Sequence, residues 1–345
     1  MMEGSPDAPH DIENTVGRTD ANAGLVQDSD LSLSAEQAPL VPLIRENGEV
    51  AMAAPELPPD DEPLFAHYEF VPPPRPAQRK PNFGDFLIFV LITFGGFCAS
   101  LLVVSAALQY HLFGVRTAQQ AAEDIHYKIG SQAAWYVITL MFCSVGFPLI
   151  WRKGFFEGLE WRASSAARHV WRLLGAAAAC FVAALADEIL IPGPDNAPID
   201  QTFKMPGAIW LLFAFGVTLA PLIEEIAYRG FLLPALCTAY DWIVEQTTGS
   251  NPPQPRADGS GRWSMQAMVV ASVVSSIPFA VMHGEQTAWS IGPFLLLVSI
   301  SLVLCWIRLA ARSLAASVMV HSSYNLLLFS LMFLGTGGFR HLDKM

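Results

Sequence analysis

Three ionisable side chains interrupt an apolar run, TLAPLIEEIAYRGFL, which extends from Thr218 to Leu232. Two adjacent carboxylates, Glu224 and Glu225, are followed by the guanidinium of Arg229. Residues four apart share one face of an α-helix, so Glu225 and Arg229 can pair. Glu224 projects about 100° further round the helix. This spacing predicts one neutralised carboxylate and one that is free for chemistry; the alternative is a single structural ion network of all three groups.

Two later apolar segments carry histidine. SIPFAVMHGE places Phe279 and His283 four residues apart, and VMVHSSYNLLLF places His321 and Asn325 four residues apart. Taken alone, such a histidine could simply bond to a backbone group, and such an asparagine could join two helices. Together with Glu224, the two histidines and Asn325 form a set of side chains that could catalyse hydrolysis. Glutamate and histidine can activate water, while histidine and asparagine can donate hydrogen bonds to an oxyanion.

The composition indicates where these groups lie. The chain has 345 residues, of which 52% are hydrophobic and 15% are charged. Its mean hydropathy is +0.38. Soluble domains carry roughly 25% charged residues, so this balance favours a membrane protein. Ionisable groups inside a bilayer are costly, and they usually serve a function. Five single cysteines with no CxxC pair predict neither a disulfide framework nor a thiolate metal site.

The first 82 residues differ from the rest. Residues 1–80 hold 15 acidic and 5 basic side chains, a net charge of −10 out of −11 for the chain. This segment is rich in proline and poor in apolar residues, so it predicts a disordered acidic tail over 1–82. The charge of the remaining chain gives no reason to expect a nucleic-acid partner.

The chain after residue 82 alternates apolar segments with polar loops. About 20 apolar residues span a bilayer as a helix, and lipid leaves no other way to satisfy the backbone of a single span. The sequence therefore predicts an all-α, polytopic transmembrane helical bundle of about 7–8 spans, within a domain covering 83–340. A short eighth candidate, Phe231 to Val244, is interpreted as the end of a long helix or as an interfacial segment. The seven candidate spans are 86–109, 133–151, 171–191, 207–229, 266–284, 288–307 and 314–334.

The cations set the predicted orientation, because loops rich in Lys and Arg stay on the cytoplasmic side. They predict an integral protein of the cell (inner) membrane with a cytoplasmic N-terminus. Arg308 and Arg312, between the last two spans, are interpreted as interfacial anchors. The other cations used are Arg75, Arg79, Lys80, Arg152, Lys153, Arg162, Arg168, Arg172, Arg256 and Arg262.

The order EExxxR, FxxxH and HxxxN, each on its own apolar segment, resembles the CPBP family. This family comprises the type II CAAX prenyl endopeptidases and the Abi bacteriocin-processing intramembrane proteases. The resemblance covers roughly 200–335, and its first motif continues through Arg229 to Gly230. Tyr228 stands where phenylalanine is common in the family. The resemblance implies an intramembrane endopeptidase whose substrate is a membrane protein or a lipidated peptide.

The resemblance also implies a role for each motif residue. Glu224 would be the general base that activates water, assisted by His283. His321 and Asn325 would bind the oxyanion of the tetrahedral intermediate. The supporting residues would be the pair formed by Glu225 and Arg229, which fixes the first motif helix, and Phe279, which packs beside the site.

A metal is the less favoured interpretation. Glu224, His283 and His321 could bind Zn²⁺ through nitrogen and oxygen atoms. The HExxH zinc motif is absent, however, because Gly284 and Glu285 follow His283 with no second histidine at the required spacing. We therefore predict no obligate cofactor, with a divalent metal such as zinc as the alternative.

Two other classes of function stay open at this stage. A non-catalytic immunity or scaffold protein of the same fold would bind a membrane peptide without cleaving it. A proton-coupled transporter would use the same carboxylates and histidines as a relay, but it would be expected to show an internal repeat, and none is visible.

The depth of the two histidines presents a difficulty. With a fifth span that starts near Gln266, His283 lies about 25 Å along it, whereas His321 lies only about 10 Å from Leu314. A converging site requires a tilt, a re-entrant turn or a shifted boundary, near Pro278 or within 231–244.

Overall fold

The computed structural model describes residues 41–44, 50–53, 81–191, 193–194, 197–205, 207–251, 253–254 and 262–341. The chain divides into two compact units, Met1–Pro72 and Pro73–Met345. In the first unit, strands β1 (Val41–Ile44) and β2 (Val50–Ala53) pair antiparallel, with Val41 opposite Ala53. Most of the predicted disordered tail lies outside the described residues, and so does Arg256, so these interpretations stay predictions.

Seven long helices dominate the described part of the second unit, and each is long and apolar enough to cross a membrane. The predicted all-α transmembrane bundle is therefore confirmed. Short helices connect the long ones at Leu112–Gly114, Ala118–Glu123, Phe155–Gly158, Ala163–Arg168 and Pro198–Phe203. The long helices are α1 (Phe83–Gln109), α2 (Ile125–Trp151), α3 (Val170–Leu190), α4 (Ala208–Thr248), α5 (Met265–Met282), α6 (Ile291–Ala311) and α7 (Leu314–Gly335).

Large apolar side chains on the outside of the bundle are exposed. Leu91, Leu149 and Ile189 are 69%, 79% and 80% exposed. Contiguous apolar surface of this kind is rare on soluble monomers and marks a surface that is covered by something other than water. The outer faces of these helices therefore face lipid, and the protein is an integral membrane protein.

Polar residues at the helix starts set where α1, α5 and α7 begin. Asn82 forms a capping box with Asp85 at the start of α1. Ser264 accepts a hydrogen bond from the amide of Ala267 at the start of α5, and Ser313 caps α7 in the same way. Such caps satisfy amides that have no partner inside the helix.

Helix α4 carries the first motif. Its 41 residues extend about 62 Å, about twice the hydrocarbon thickness of a bilayer. The segment Phe231 to Val244 is therefore the end of this long helix, one of the two interpretations given above. Two π-helical stretches, Phe215–Leu219 and Ile226–Leu232, flank the α-helical segment Ala220–Glu225. Such π-helical stretches within α-helices occur frequently at functional sites.

The end of the second π-helical stretch is fixed by aromatic packing. Phe231 is fully buried, and its ring lies 4.5 Å from that of Phe89 on α1 and 4.8 Å from that of Phe147 on α2. The second half of α4 then packs against α5, and Trp263, two residues before α5 begins, donates to the hydroxyl of Thr238 at 3.1 Å. These contacts hold the motif-bearing segment of α4 in the interior of the bundle.

Candidate active site

The two adjacent glutamates of α4 occupy different environments. The side chain of Glu225 is completely buried, whereas that of Glu224 is 20% exposed. Neighbouring residues on a helix point about 100° apart, so one side chain enters the protein core while the other reaches a partly open space. Glu224 is thus the carboxylate that a small molecule could reach.

Glu225 forms a buried ion pair with Arg229, with Nη1 of the arginine 3.0 Å from Oε1 of the glutamate. The other arm of Arg229, Nη2, donates to the hydroxyl of Ser301 at 2.7 Å and to its carbonyl oxygen at 3.1 Å. A buried charge is tolerated only when it is paired and hydrogen-bonded in this way. The pair therefore also joins α4 to α6, and Ser301 is a partner that the spacing of the motif did not reveal.

His321 lies between the two glutamates. Its Nδ1 atom is 2.9 Å from Oε1 of Glu225, and its Nε2 atom is 3.8 Å from Oε2 of Glu224. The ring is nearly buried, with 7% of the side chain exposed. One imidazole of α7 thus contacts both carboxylates of α4, through different nitrogen atoms.

His283 approaches Glu224 from the end of α5. The helix ends at Met282, and His283 is its C-terminal cap. Its Nδ1 atom lies 2.9 Å from the carbonyl oxygen of Phe279, which can only accept, so Nδ1 carries the hydrogen. Its Nε2 atom lies 3.9 Å from Oε2 of Glu224. The two histidines that appeared to differ in depth therefore face the same carboxylate oxygen.

Phe279 packs at the centre of this group. Its ring lies 4.6 Å from Cζ of Arg229, 5.0 Å from the ring of His283 and 6.0 Å from that of His321. Tyr228 packs edge-on against it at 5.3 Å and donates a hydrogen bond from its hydroxyl to the carbonyl oxygen of Pro278 at 3.3 Å. These contacts hold α5 against α4.

Asn325 lies one turn after His321 on α7. Its Nδ2 atom donates to the carbonyl oxygen of Gly216 at 2.7 Å. Gly216 belongs to the first π-helical stretch of α4. An amide nitrogen has two hydrogens, so one remains for another acceptor.

Arg308 differs from its interpretation as an interfacial anchor, because its side chain is buried and only 3% of the residue is exposed. Its Nε atom donates to the carbonyl oxygen of Arg229, and its Nη2 atom donates to that of Leu159, both at 3.3 Å. Its Nη1 atom pairs with Glu160 at 2.9 Å. Arg308 thus connects the second π-helical stretch of α4 to the turn that follows the short helix Phe155–Gly158. Its partners are distant in sequence, and two of them are backbone carbonyls, which no motif reveals.

The predicted zinc ligands do not have the spacing of a zinc site. Nε2 of His283 and Nε2 of His321 lie 3.9 and 3.8 Å from Oε2 of Glu224. Ligand atoms of a tetrahedral zinc ion lie about 3.3 Å apart, because each bond is about 2.0 Å long. Within the described ranges, no group of three or more His, Cys, Asp or Glu has the arrangement of a metal site. As placed, these atoms are more widely spaced than the ligands of a bound zinc ion, and the absence of an obligate metal stays a prediction.

The fold and the site together define an integral membrane protein with a polar centre enclosed by its helices. Residues 206–327 match the family described as type II CAAX prenyl endopeptidase Rce1-like. All three motifs lie inside this range, so the family resemblance is confirmed for the part of the chain that carries them. The family is one of proteases, which supports an endopeptidase at the level of the class. No curated protein and no solved structure matches the chain.

Proposed function

We propose that the protein is an intramembrane endopeptidase that hydrolyses a peptide bond of a membrane-associated substrate with water activated by Glu224. One observation carries the proposal. Two imidazole Nε2 atoms face the same oxygen of Glu224, which is partly exposed, while the adjacent Glu225 is buried and paired with Arg229. Activation of water needs a base, groups that orient the base and the water, and a space that water can enter.

The first step is the attack of water on the scissile carbonyl. Glu224 takes one proton from the water, and the oxygen forms a bond to the carbonyl carbon. His283 assists by orienting the water, since its Nδ1 hydrogen is held by Phe279 and its Nε2 atom faces Glu224. The electrons of the carbonyl double bond move to the oxygen, which becomes an oxyanion.

The second step breaks the peptide bond. The second amide hydrogen of Asn325 and, once it carries a proton, Nε2 of His321 stabilise the oxyanion in our proposal. The tetrahedral intermediate then collapses, the carbon–nitrogen bond breaks, and the leaving amine receives the proton that came from the water. The new carboxylic acid releases its own proton to solvent, so no covalent enzyme intermediate and no redox partner are needed.

We further propose that no metal is obligatory for this reaction. The separations between Glu224 and the two histidines are wider than in a zinc site, and a carboxylate base needs no Lewis acid to accept a proton from water. The substrate class in this proposal is a membrane protein or a lipidated peptide, the prenylated kind being the one named in the description of the matching family. The proposed location is the cell (inner) membrane, with a cytoplasmic N-terminus.

The experiment is cleavage of defined peptides by the purified protein in liposomes. Membrane-anchored peptides with and without a prenyl group are incubated with the protein, and the products are identified by mass spectrometry. We expect internal cleavage that Glu224→Gln abolishes while peptide binding is retained. Binding without cleavage by the wild-type protein across the panel would instead favour a scaffold.

A further inference from the structure

One carboxylate oxygen of Glu225 is contacted by two hydrogen-bond donors. Oε1 lies 3.0 Å from Nη1 of Arg229 and 2.9 Å from Nδ1 of His321. A carboxylate that pairs with a buried arginine is ionised, and an ionised carboxylate can only accept hydrogen bonds. The Nδ1 atom of His321 therefore carries a hydrogen.

This hydrogen determines what the other nitrogen of His321 can do. In the neutral form that our proposal uses, an imidazole has one N–H group, so a hydrogen on Nδ1 leaves a lone pair on Nε2, the atom that lies 3.8 Å from Oε2 of Glu224. In this tautomer Nε2 cannot donate a hydrogen bond to an oxyanion. It becomes a donor only after it has accepted a proton.

We infer that Glu225 is the positioning residue of His321, which it holds as the Nδ1–H tautomer so that Nε2 can carry a proton during the reaction. The inference rests on the proposed function and assigns Glu225 a task beyond its pair with Arg229. The proton that Glu224 takes from water moves to Nε2, which makes His321 an imidazolium. The imidazolium donates to the oxyanion and then gives the same proton to the leaving amine as the carbon–nitrogen bond breaks.

A purely structural ion pair gives a different expectation. In that case the contact between Glu225 and His321 is incidental, and any replacement that removes the pair without leaving a buried charge should have the same effect. A positioning role depends on whether residue 225 still presents an oxygen atom to Nδ1. The two cases can be distinguished by variants in which residues 225 and 229 are both uncharged. These variants differ only in whether residue 225 carries an oxygen atom.

The experiment compares two double variants, each without a buried unpaired charge. Glu225→Gln with Arg229→Met keeps an amide oxygen for His321, whereas Glu225→Met with Arg229→Met removes it. We expect kcat of the second variant to be about 100-fold below that of the first, with similar KM. The reason is that loss of the group that orients a catalytic histidine lowers kcat by two or more orders of magnitude. Equal kcat values for two folded variants would overturn the inference.

A spectroscopic measurement tests the tautomer without relying on cleavage. The ring-nitrogen signals of His321 in ¹⁵N-histidine-labelled protein are assigned by their loss in His321→Gln. We expect hydrogen on Nδ1 in the wild-type protein and its partial transfer to Nε2 in the variant with methionine at 225 and 229. Hydrogen on Nε2 of neutral His321 in the wild type would overturn the inference even if the protein cleaves peptides. The expected pattern would support it even if no peptide were cleaved.

Discussion

Asn325 donates a hydrogen bond from Nδ2 to the carbonyl oxygen of Gly216 at 2.7 Å, which joins α7 to the first π-helical stretch of α4. This bond sets the direction of the amide group, and it leaves the second amide hydrogen for the proposed oxyanion. A residue that is anchored in this way is preorganised, so it does not need to move when charge develops.

Replacement of Asn325 by leucine tests this role. We expect Asn325→Leu to lower kcat by about 100- to 1,000-fold with little change in KM, the usual cost of losing an oxyanion donor. Steady-state cleavage of a membrane-anchored peptide measures both constants. Ser330→Ala on the same helix is the control, because its hydroxyl donates within the helix, to the carbonyl of Leu326. An equal effect of both variants would remove Asn325 from the mechanism.

Gly216 should tolerate a side chain poorly. A Cβ atom there would lie 3.2 Å from Cε2 of Phe329, whereas one at Gly175 on α3 would meet no atom within 4 Å. We expect Gly216→Ala to shift the carbonyl that Asn325 contacts, and to lower activity about tenfold. Gly175→Ala should leave activity unchanged and raise the thermal midpoint slightly, because alanine favours a helix. If Gly216→Ala retained full activity, the alignment of the Asn325 amide would not matter.

Arg308 should matter for stability. Arg308→Met removes the buried guanidinium that contacts two carbonyl oxygens and Glu160. We expect this change to lower the free energy of unfolding by about 2–3 kcal/mol. The apparent unfolding midpoint in detergent should fall by on the order of 5 °C. The matched control is Arg172→Met, since Arg172 is exposed at the start of α3. Equal midpoints for the two variants would show that the buried contacts of Arg308 contribute little.

Chelation tests the proposal that no metal is obligatory. We expect activity to survive dialysis against EDTA and 1,10-phenanthroline, and added zinc to give no increase. Cleavage measured before and after chelation, with a known zinc protease treated in parallel, provides the comparison. Loss of activity on chelation and its recovery with zinc would mean that Glu224, His283 and His321 move together to bind the ion.

Hydropathy predicted the helices well, because the requirement for about 20 apolar residues leaves few alternatives. The length of α4 was the main uncertainty. Pro234 lies inside this continuous helix, two residues after the π-helical stretch Ile226–Leu232, and it supplies no amide hydrogen to the preceding turn. Asp241 is accommodated because it accepts from the hydroxyl of Ser264, at the start of α5. This contact is not visible until the two helices are placed together.

The candidate site was predictable in part. Helical spacing predicted that Glu225 and Arg229 share a face, and the structure places them 3.0 Å apart. The contact between His321 and Glu225 could not be predicted, because it depends on how α7 approaches α4. The two π-helical stretches were also not predictable, since they change the angle between neighbouring side chains without any marker in the sequence.

Glu224 is the proposed base that activates water, and its replacement by glutamine provides the decisive comparison. Single-turnover cleavage of a membrane-anchored peptide is measured for the wild type, for Glu224→Gln and for Glu285→Gln, which replaces an exposed glutamate near His283. We expect a rate at least about 1,000-fold lower for Glu224→Gln, unchanged peptide binding, and a normal rate for Glu285→Gln. Cleavage by Glu224→Gln at the wild-type rate would contradict this role.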